Sequence, residues 1–349
     1  MTLFGGSMCR ALLSVILATF VAACASAPPN DDAATTAPAS GGKNVAGGAL
    51  GKGGAPGPGG ESGNATTANG GVTSSGGSSA TGGGGASGSA GTAGASSPPT
   101  VACTDTSSMA AIVNDQYGTQ PIVVDNSSKT YMFQANWWGT PYDQQSESIS
   151  GLGFTVTNSG ATTSNPSDPL GFPSIYIGSY QGKGTTGSNL PKLVSSLTSV
   201  PTIFSVNATS DTSSLNATYD VWFSQSSSGV SGSNPGSGGA YLMVWLFKPS
   251  SKQPRGNTVI QGYSVGTVPG SWSVWYDPTN NGSTQPCVSY VSSTPLSELE
   301  FDLNDFIKDA ISHNWGVTSS QYLSIVFAGT EIWSGGNGFQ VKQFCANVE

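Results

Sequence analysis

Glu331 is an acidic residue whose surroundings suit chemistry. Glu331 lies in "FAGTEIWSGGNG" (327 to 338), followed by Ile332 and Trp333, and Asp220 lies in "NATYDVWF" (216 to 223). Carboxyl groups in unlike environments can divide acid and base work, because an apolar setting holds one protonated while the other stays ionised. A lone glutamate at a strand end is usually solvated, but the aromatic, glycine-rich segment around Glu331 marks it as a site residue. Glu298 and Glu300 in "SELEF" are a different case. They share the outer face of a strand whose other face carries Leu299, Phe301 and Leu303, which makes them a solvated pair. His313 is the only histidine, so it has no histidine partner for a metal, and no Cys/His spacing fits zinc. Nothing near it is a nucleophile elbow, and it is expected at the surface near a helix end.

The elements that must position these groups are short stretches rich in aromatic and β-branched residues, set between clusters of Gly, Ser, Asn and Pro. They are "TYMFQANWW", "GFTVTN", "PSIYIGSY", "TIFSVNAT", "ATYDVWF", "YLMVWLF", "WSVWYD", "VSYVSS", "YLSIVFAG" and "FQVKQF". Their spacing predicts an all-β, antiparallel sandwich. One segment breaks the pattern: in "LNDFIKDAISHNWG", Leu303, Phe306, Ile307, Ala310 and Ile311 follow helical spacing. Asp302 or Asn304 can cap its start and Gly316 can end it. In a strand, residues two apart share a face. The run "YLMVWL" therefore puts Tyr241, Met243 and Trp245 on one side, and Leu242, Val244 and Leu246 on the other. The aliphatic side must face the space between two sheets. The aromatic side lines something else, either a groove or a second small core under a loop.

An export signal and a tether precede the folded part. Arg10 stands ahead of an apolar run from Ala11 to Ala23, too short to span a bilayer comfortably and right for a signal-peptide core. The run ends in Val21-Ala22-Ala23-Cys24, which resembles a bacterial lipobox. On that reading residues 1–23 are removed and Cys24 carries the lipid; an ordinary cut at Ala23-Cys24-Ala25 is the alternative. Residues 24–100 then hold the lipidated cysteine and a linker of Gly, Ser, Ala, Thr, Pro and Asn without apolar periodicity. Its reach is on the order of 50 Å, enough to hold a domain clear of a membrane. The glycine runs have no strand before them and no helix after them, which excludes a phosphate-cradling loop.

Residues 101–349 have the size of a single all-β domain and hold all eight tryptophans. Net charge is -8, and the 11 Lys and Arg residues are scattered thinly, so there is no electrostatic footprint for nucleic acid. A charged fraction of 9%, with abundant Ser, Thr, Asn, Gln and Trp, suits a neutral, hydroxyl-rich ligand. Cys103, Cys287 and Cys345 are an odd number in an oxidising compartment, so one disulfide and one free thiol are expected, with the pairing open.

The segments "NATYDVWF", "YLMVWLF" (241 to 247) and "FAGTEIWSGGNG", in that order, with "NWWG" (136 to 139) and "PSIYIG" (173 to 178) upstream, resemble glycoside hydrolase family 12. The resemblance covers roughly residues 130 to 345. Members of that family are β-jelly-roll endo-β-1,4-glucanases and xyloglucanases. The resemblance thus implies two antiparallel sheets, a concave sheet forming a sugar cleft, one helix packed on the convex side, and no cofactor or metal. "FDLNDFI", entering the helix, agrees with it. Retaining glycosidases use two carboxyl groups about 5 to 5.5 Å apart, one attacking the anomeric carbon and one protonating the leaving oxygen. By resemblance the acid/base is Glu331, and the aspartate that accompanies the nucleophile is Asp220. The nucleophile itself, a glutamate directly before the "hydrophobic-Met-hydrophobic-Trp" run, falls on Tyr241. No Glu or Asp lies between Asp220 and Asp277, so a shifted register supplies no carboxylate. Sugar rings are expected on Trp138, Trp245, Trp333 and Tyr241, with Met243 on the same face.

A phenol has an unperturbed pKa near ~10 against ~4.3 for Glu, so at neutral pH it is protonated and a poor nucleophile without a neighbouring base. Losing the nucleophile's charge also removes one cause of a high acid pKa, which predicts Glu331 as a weaker proton donor. Three functions follow. The first is an endo-β-1,4-glucanase using Asp220, alone or with Tyr241, as a base or charge in a modified route. The second is a catalytically silent, surface β-glucan-binding lipoprotein, and the third a structural or adhesive surface protein without sugar specificity. The first two place Glu331 across a groove from the Tyr241 phenol. The expected partners are β-1,4-glucan or xyloglucan and a membrane through the lipid anchor only, with no nucleic acid, for a monomeric protein. Ala25 gives no inner-membrane retention signal, which leans the location toward the outer membrane, with secretion as the alternative.

Overall fold

The computed structural model describes residues 101, 103, 110–124, 128–140, 144–161, 167–207, 214–279 and 285–349. The signal, Cys24 and the linker lie outside them. In chain order the first strands are β1 (Ala110–Val113), β2 (Thr119–Val123), β3 (Thr130–Gln134), β4 (Ser146–Ser150), β5 (Gly153–Asn158), β6 (Ser174–Tyr180) and β7 (Pro201–Val206). There follow β8 (Ala217–Ser224), β9 (Ala240–Phe247), β10 (Asn257–Tyr263), β11 (Trp272–Asp277), β12 (Cys287–Ser292), β13 (Glu298–Asp302), β14 (Tyr322–Gly329) and β15 (Gln340–Ala346).

These strands build two sheets. The smaller runs β1-β4-β5-β15-β7-β13, and the larger runs β10-β11-β12-β9-β8-β14-β6-β3-β2. Neighbours are antiparallel throughout, apart from the parallel pair β9 and β12. The alternation read from the sequence sets what each face does. Leu242, Val244 and Leu246 of β9 lie in the core between the sheets with Val221 and Tyr219 of β8 and Val326 of β14. Tyr241, Met243 and Trp245 belong to a separate aromatic cluster with Trp222, Tyr180, Phe327 and Trp333.

The helix, α1 (Leu303–Ser312), is the predicted one, and Asp302 is its cap: the carboxylate accepts from Asn304 N at 2.9 Å and Val200 N at 2.7 Å. Its apolar stripe of Leu303, Phe306, Ile307 and Ala310 is buried. Phe306 meets Trp272 of β11 at 5.0 Å and Tyr290 of β12 at 4.6 Å between ring centroids. The helix thus covers the core-side face of the larger sheet near its β10 end. Gly316 follows it at φ +79, where a Cβ would strike Pro286. His313 caps the helix C-terminus and stacks on Trp315 at 4.3 Å. Cys103 and Cys345 form a disulfide. The Cys287 side chain is buried in the aromatic cluster.

Candidate active site

The outer face of the larger sheet is organised in rows by strand register. Tyr241 of β9 stands beside Trp222 of β8, which stands beside Ile325 of β14; Cys287 of β12 closes that row. The next row holds Met243, Asp220, Phe327 and Tyr176. The third holds Trp245, Thr218, Gly329 and Ser174. Gly329 has to be glycine, since a Cβ there would collide with Pro173 O and Ser174. Beyond it the chain runs through Thr330 to Glu331 and into the short strand Ile332–Ser334, which pairs with Ser214–Leu215.

Glu331 is held at this end by Asn216. The amide Nδ2 donates to Glu331 Oε2 at 2.6 Å, Glu331 N donates to Asn216 Oδ1 at 2.8 Å, and Asn216 N donates to Glu331 O at 3.1 Å. The second carboxyl oxygen, Oε1, is buried without a partner. Burial raises the Glu331 pKa to about 8; the Asn216 hydrogen bond and Arg255 work against this, while the charges of Asp220 and Asp168 add to it. Asp220 is likewise buried, with Oδ1 unpartnered, and burial raises its pKa to about 7. The Trp222 indole N–H is close enough to favour the Asp220 anion, yet it lies outside hydrogen-bond geometry. Burial, and then the charge of Asp220, push the Tyr241 phenol well above the ordinary tyrosine range.

Tyr241 belongs to the outer face of the larger sheet, and Glu331 lies two residues beyond the Gly329 end of β14. The Tyr241 row is two rows, about 13 Å along the strands, from the Gly329 row, and the Asp220 row lies between. Among the charges that raise the Glu331 pKa, Asp220 is the largest. With a tyrosine at 241 the Glu331 pKa still stands at about 8, and burial is the largest cause.

The aromatic residues singled out in the sequence do come together. Trp245 and Trp333 lie 6.4 Å apart, and Tyr241 meets Trp222 edge-on at 5.4 Å. Met243 is in the same cluster, and Trp138, half-buried, packs at its margin. Trp138 also lines a small pocket with Asp220, Trp222, Tyr180 and Asn136. At the Glu331 end the Trp333 indole donates to Ser167 O at 3.2 Å, and Lys252 sits over its ring at 5.7 Å. Arg255 pairs with Asp168 at 3.5 Å. Sequence reasoning did not single out Asn216, Trp222, Arg255 or Asp168. Trp222 is two residues from Asp220 on the same strand and Asn216 directly precedes that strand, which is the signal that could have found them.

A two-sheet β-sandwich with two buried carboxyl groups in an aromatic outer face is the architecture of a β-jelly-roll glycosidase. The chain belongs to glycosyl hydrolase family 12, whose model matches residues 129–349. Endoglucanase A of Aspergillus kawachii is 32% identical over 177 residues, 49% of this chain and 69% of that protein. The probable cellulase Cel12b of Mycobacterium tuberculosis is 31% identical over 162 residues, 46% of this chain and 99% of that protein. Among solved structures, endoglucanase cel12A from Rhodothermus marinus is 29% identical with a TM-score of 0.57, covering 68% of this chain and 99% of that one.

Proposed function

We propose that this protein binds β-1,4-glucan chains along the aromatic outer face of the larger sheet and hydrolyses them slowly, with Glu331 as proton donor and Asp220 as the companion carboxylate. The observation that carries this reading is the pair of buried carboxyl groups with pKa values of about 8 and about 7, each with one oxygen unpartnered in the same face. Near neutral pH the first is an acid and the second substantially a base, the division that glycoside cleavage needs. Glu331 gives its proton to the leaving glycosidic oxygen. Asp220 takes a proton from a water that attacks the anomeric carbon as the C–O bond breaks. Tyr241 falls, by resemblance, on the place of the family's nucleophile and does not attack, since its proton is held by burial. Similar proteins named endoglucanase, cellulase and xyloglucan-specific endo-β-1,4-glucanase support the substrate class.

The state of Tyr241 favours a second reading, a catalytically silent β-glucan-binding protein. In either case Cys24 carries a lipid, and the linker holds the domain off the membrane at the cell surface. Reducing-end release from barley β-glucan, carboxymethylcellulose and xyloglucan separates them. Slow release lost in both Glu331→Gln and Asp220→Asn supports hydrolysis by this pair, and release undiminished in Asp220→Asn overturns it. Retarded migration in a glucan-containing native gel without any release leaves binding alone.

A further inference from the structure

Glu147 is a buried acid that the hydrolysis above does not use. It lies in β4 of the smaller sheet, and its Oε1 accepts from the indole Nε1 of Trp137, just after β3 of the larger sheet, at 2.6 Å. One hydrogen bond thus ties the two sheets together through the core. The second oxygen, Oε2, is buried without a partner. Burial, opposed by the Trp137 hydrogen bond, raises the Glu147 pKa to about 8, so at neutral pH it is an uncharged acid that needs no counter-ion. Trp137 in turn stands between the two parts of the site. Asn136 is left-handed, at φ 50; the Trp137 ring enters the core, while Asn136 and Trp138 on either side of it line the small pocket with Asp220. Asn136 O accepts from Phe172 N at 2.9 Å, and Phe172 lines the same pocket. Gly171 bridges Trp137, and a Cβ there would strike the indole. Its carbonyl accepts at 3.1 Å from Ile332 N, the residue directly after Glu331.

We propose that Glu147 is a positioning residue for the two carboxyl groups: by fixing the Trp137 indole it sets residues 136–138 beside Asp220 and, through Gly171, the chain at Glu331. The inference rests on the reading above that Glu331 and Asp220 work as a pair. Apolar packing alone holds an indole loosely about its ring plane, whereas a hydrogen bond to a single acceptor is directional and selects one orientation. Removing that acceptor leaves the indole N–H unpaired in the core, a penalty larger than the net worth of the bond, so the ring shifts to relieve it. Gly171 has no side chain to absorb the shift, which passes to the backbone of Asn136 and Trp138 on one side and of Ile332 on the other. Looser packing there admits water to Asp220 and Glu331, whose raised pKa values both come first from burial.

The test is Glu147→Leu in the full chain, read by carboxyl-carbon NMR titration of Glu331 and Asp220 and by kcat and KM on barley β-glucan. Both groups should bind their protons at least about tenfold more weakly, and kcat should fall on the order of 10-fold with KM little changed. Glu147→Gln keeps the acceptor oxygen and should retain the parent's titrations and kcat. Trp137→Phe, which removes the indole N–H, is the independent second variant and should reproduce the shifts; adding Glu147→Leu to it should move them no further. A folded Glu147→Leu chain with titrations and kcat unmoved overturns the inference, as does a Glu147→Leu effect equally large in the Trp137→Phe background. No hydrolysis by the parent overturns the hydrolytic reading alone, because the titrations still decide the role of Glu147.

Discussion

Replacing Tyr241 by glutamate puts a carboxyl group into the row beside Trp222, one row from Asp220. The cost to the fold follows from the contacts. The phenol meets Trp222 edge-on at 5.4 Å and is 3% exposed, so the substitution removes an aromatic contact of about 1 kcal/mol and buried ring area besides. A total loss of about 2–4 kcal/mol is expected from large-to-small changes at such sites, which a domain of ordinary stability survives. The introduced carboxyl and Asp220 repel when both are ionised, so the two titrate as a pair and one keeps its proton past the Asp220 value of about 7. Glu331, with its pKa of about 8, stays protonated over the same interval. Hydrolysis of barley β-glucan should therefore rise on the order of 10²-fold. The first-formed anomer, followed by proton NMR, should show retention, and near-UV circular dichroism should show a native fold. A folded variant with no gain in rate refutes the placement of Tyr241 at the nucleophile position. So does a gain that persists when Glu331→Gln is added.

Stability should fall as pH rises. Glu147, Asp220 and Glu331 have folded pKa values of about 8, 7 and 8, raised first by burial in each case, so the native chain binds protons that the unfolded chain releases near ~4. Their contribution is complete below the unfolded values and is lost as pH rises toward the folded ones, so Tm should drop between about pH 5 and about pH 8. Glu147→Gln should flatten that slope, and a Tm unchanged over the interval contradicts the three assignments. Asn216→Ala removes both side-chain hydrogen bonds to Glu331, including the one that favours its ionised form. The alkaline limb of the pH–rate profile should move upward while kcat falls on the order of 10²-fold through lost orientation. An unmoved limb means Asn216 serves only the fold.

What the sequence made legible is what period-two alternation controls. The split of β9 into Leu242, Val244 and Leu246 against Tyr241, Met243 and Trp245 followed from spacing alone, as did the helix stripe and its Asp302 cap. The strands that went unread are β1, which is only four residues long, and β2, β4 and β10, which lack a long apolar run. Three of them are sheet edges, and β10 is exposed or half-buried along its whole length, so pairing rather than composition makes them strands. Glu147 in "SESIS" is a sharper case. An acidic residue in a serine-rich stretch reads as surface, but it is fully buried because the Trp137 indole donates to it at 2.6 Å. The same limit governs the site. Alternation puts Tyr241, Met243 and Trp245 on one face, but which residues of the neighbouring strands stand beside them depends on the register among β8, β9 and β14. That register is fixed by long loops and by contacts such as Asn216 with Glu331, 115 residues apart in the chain. Asp220 is the carboxylate whose charge raises the Glu331 pKa most. Glu331 and Asp220 are both buried and act on one another's field, and the measurable question becomes the rate at which that pair can work.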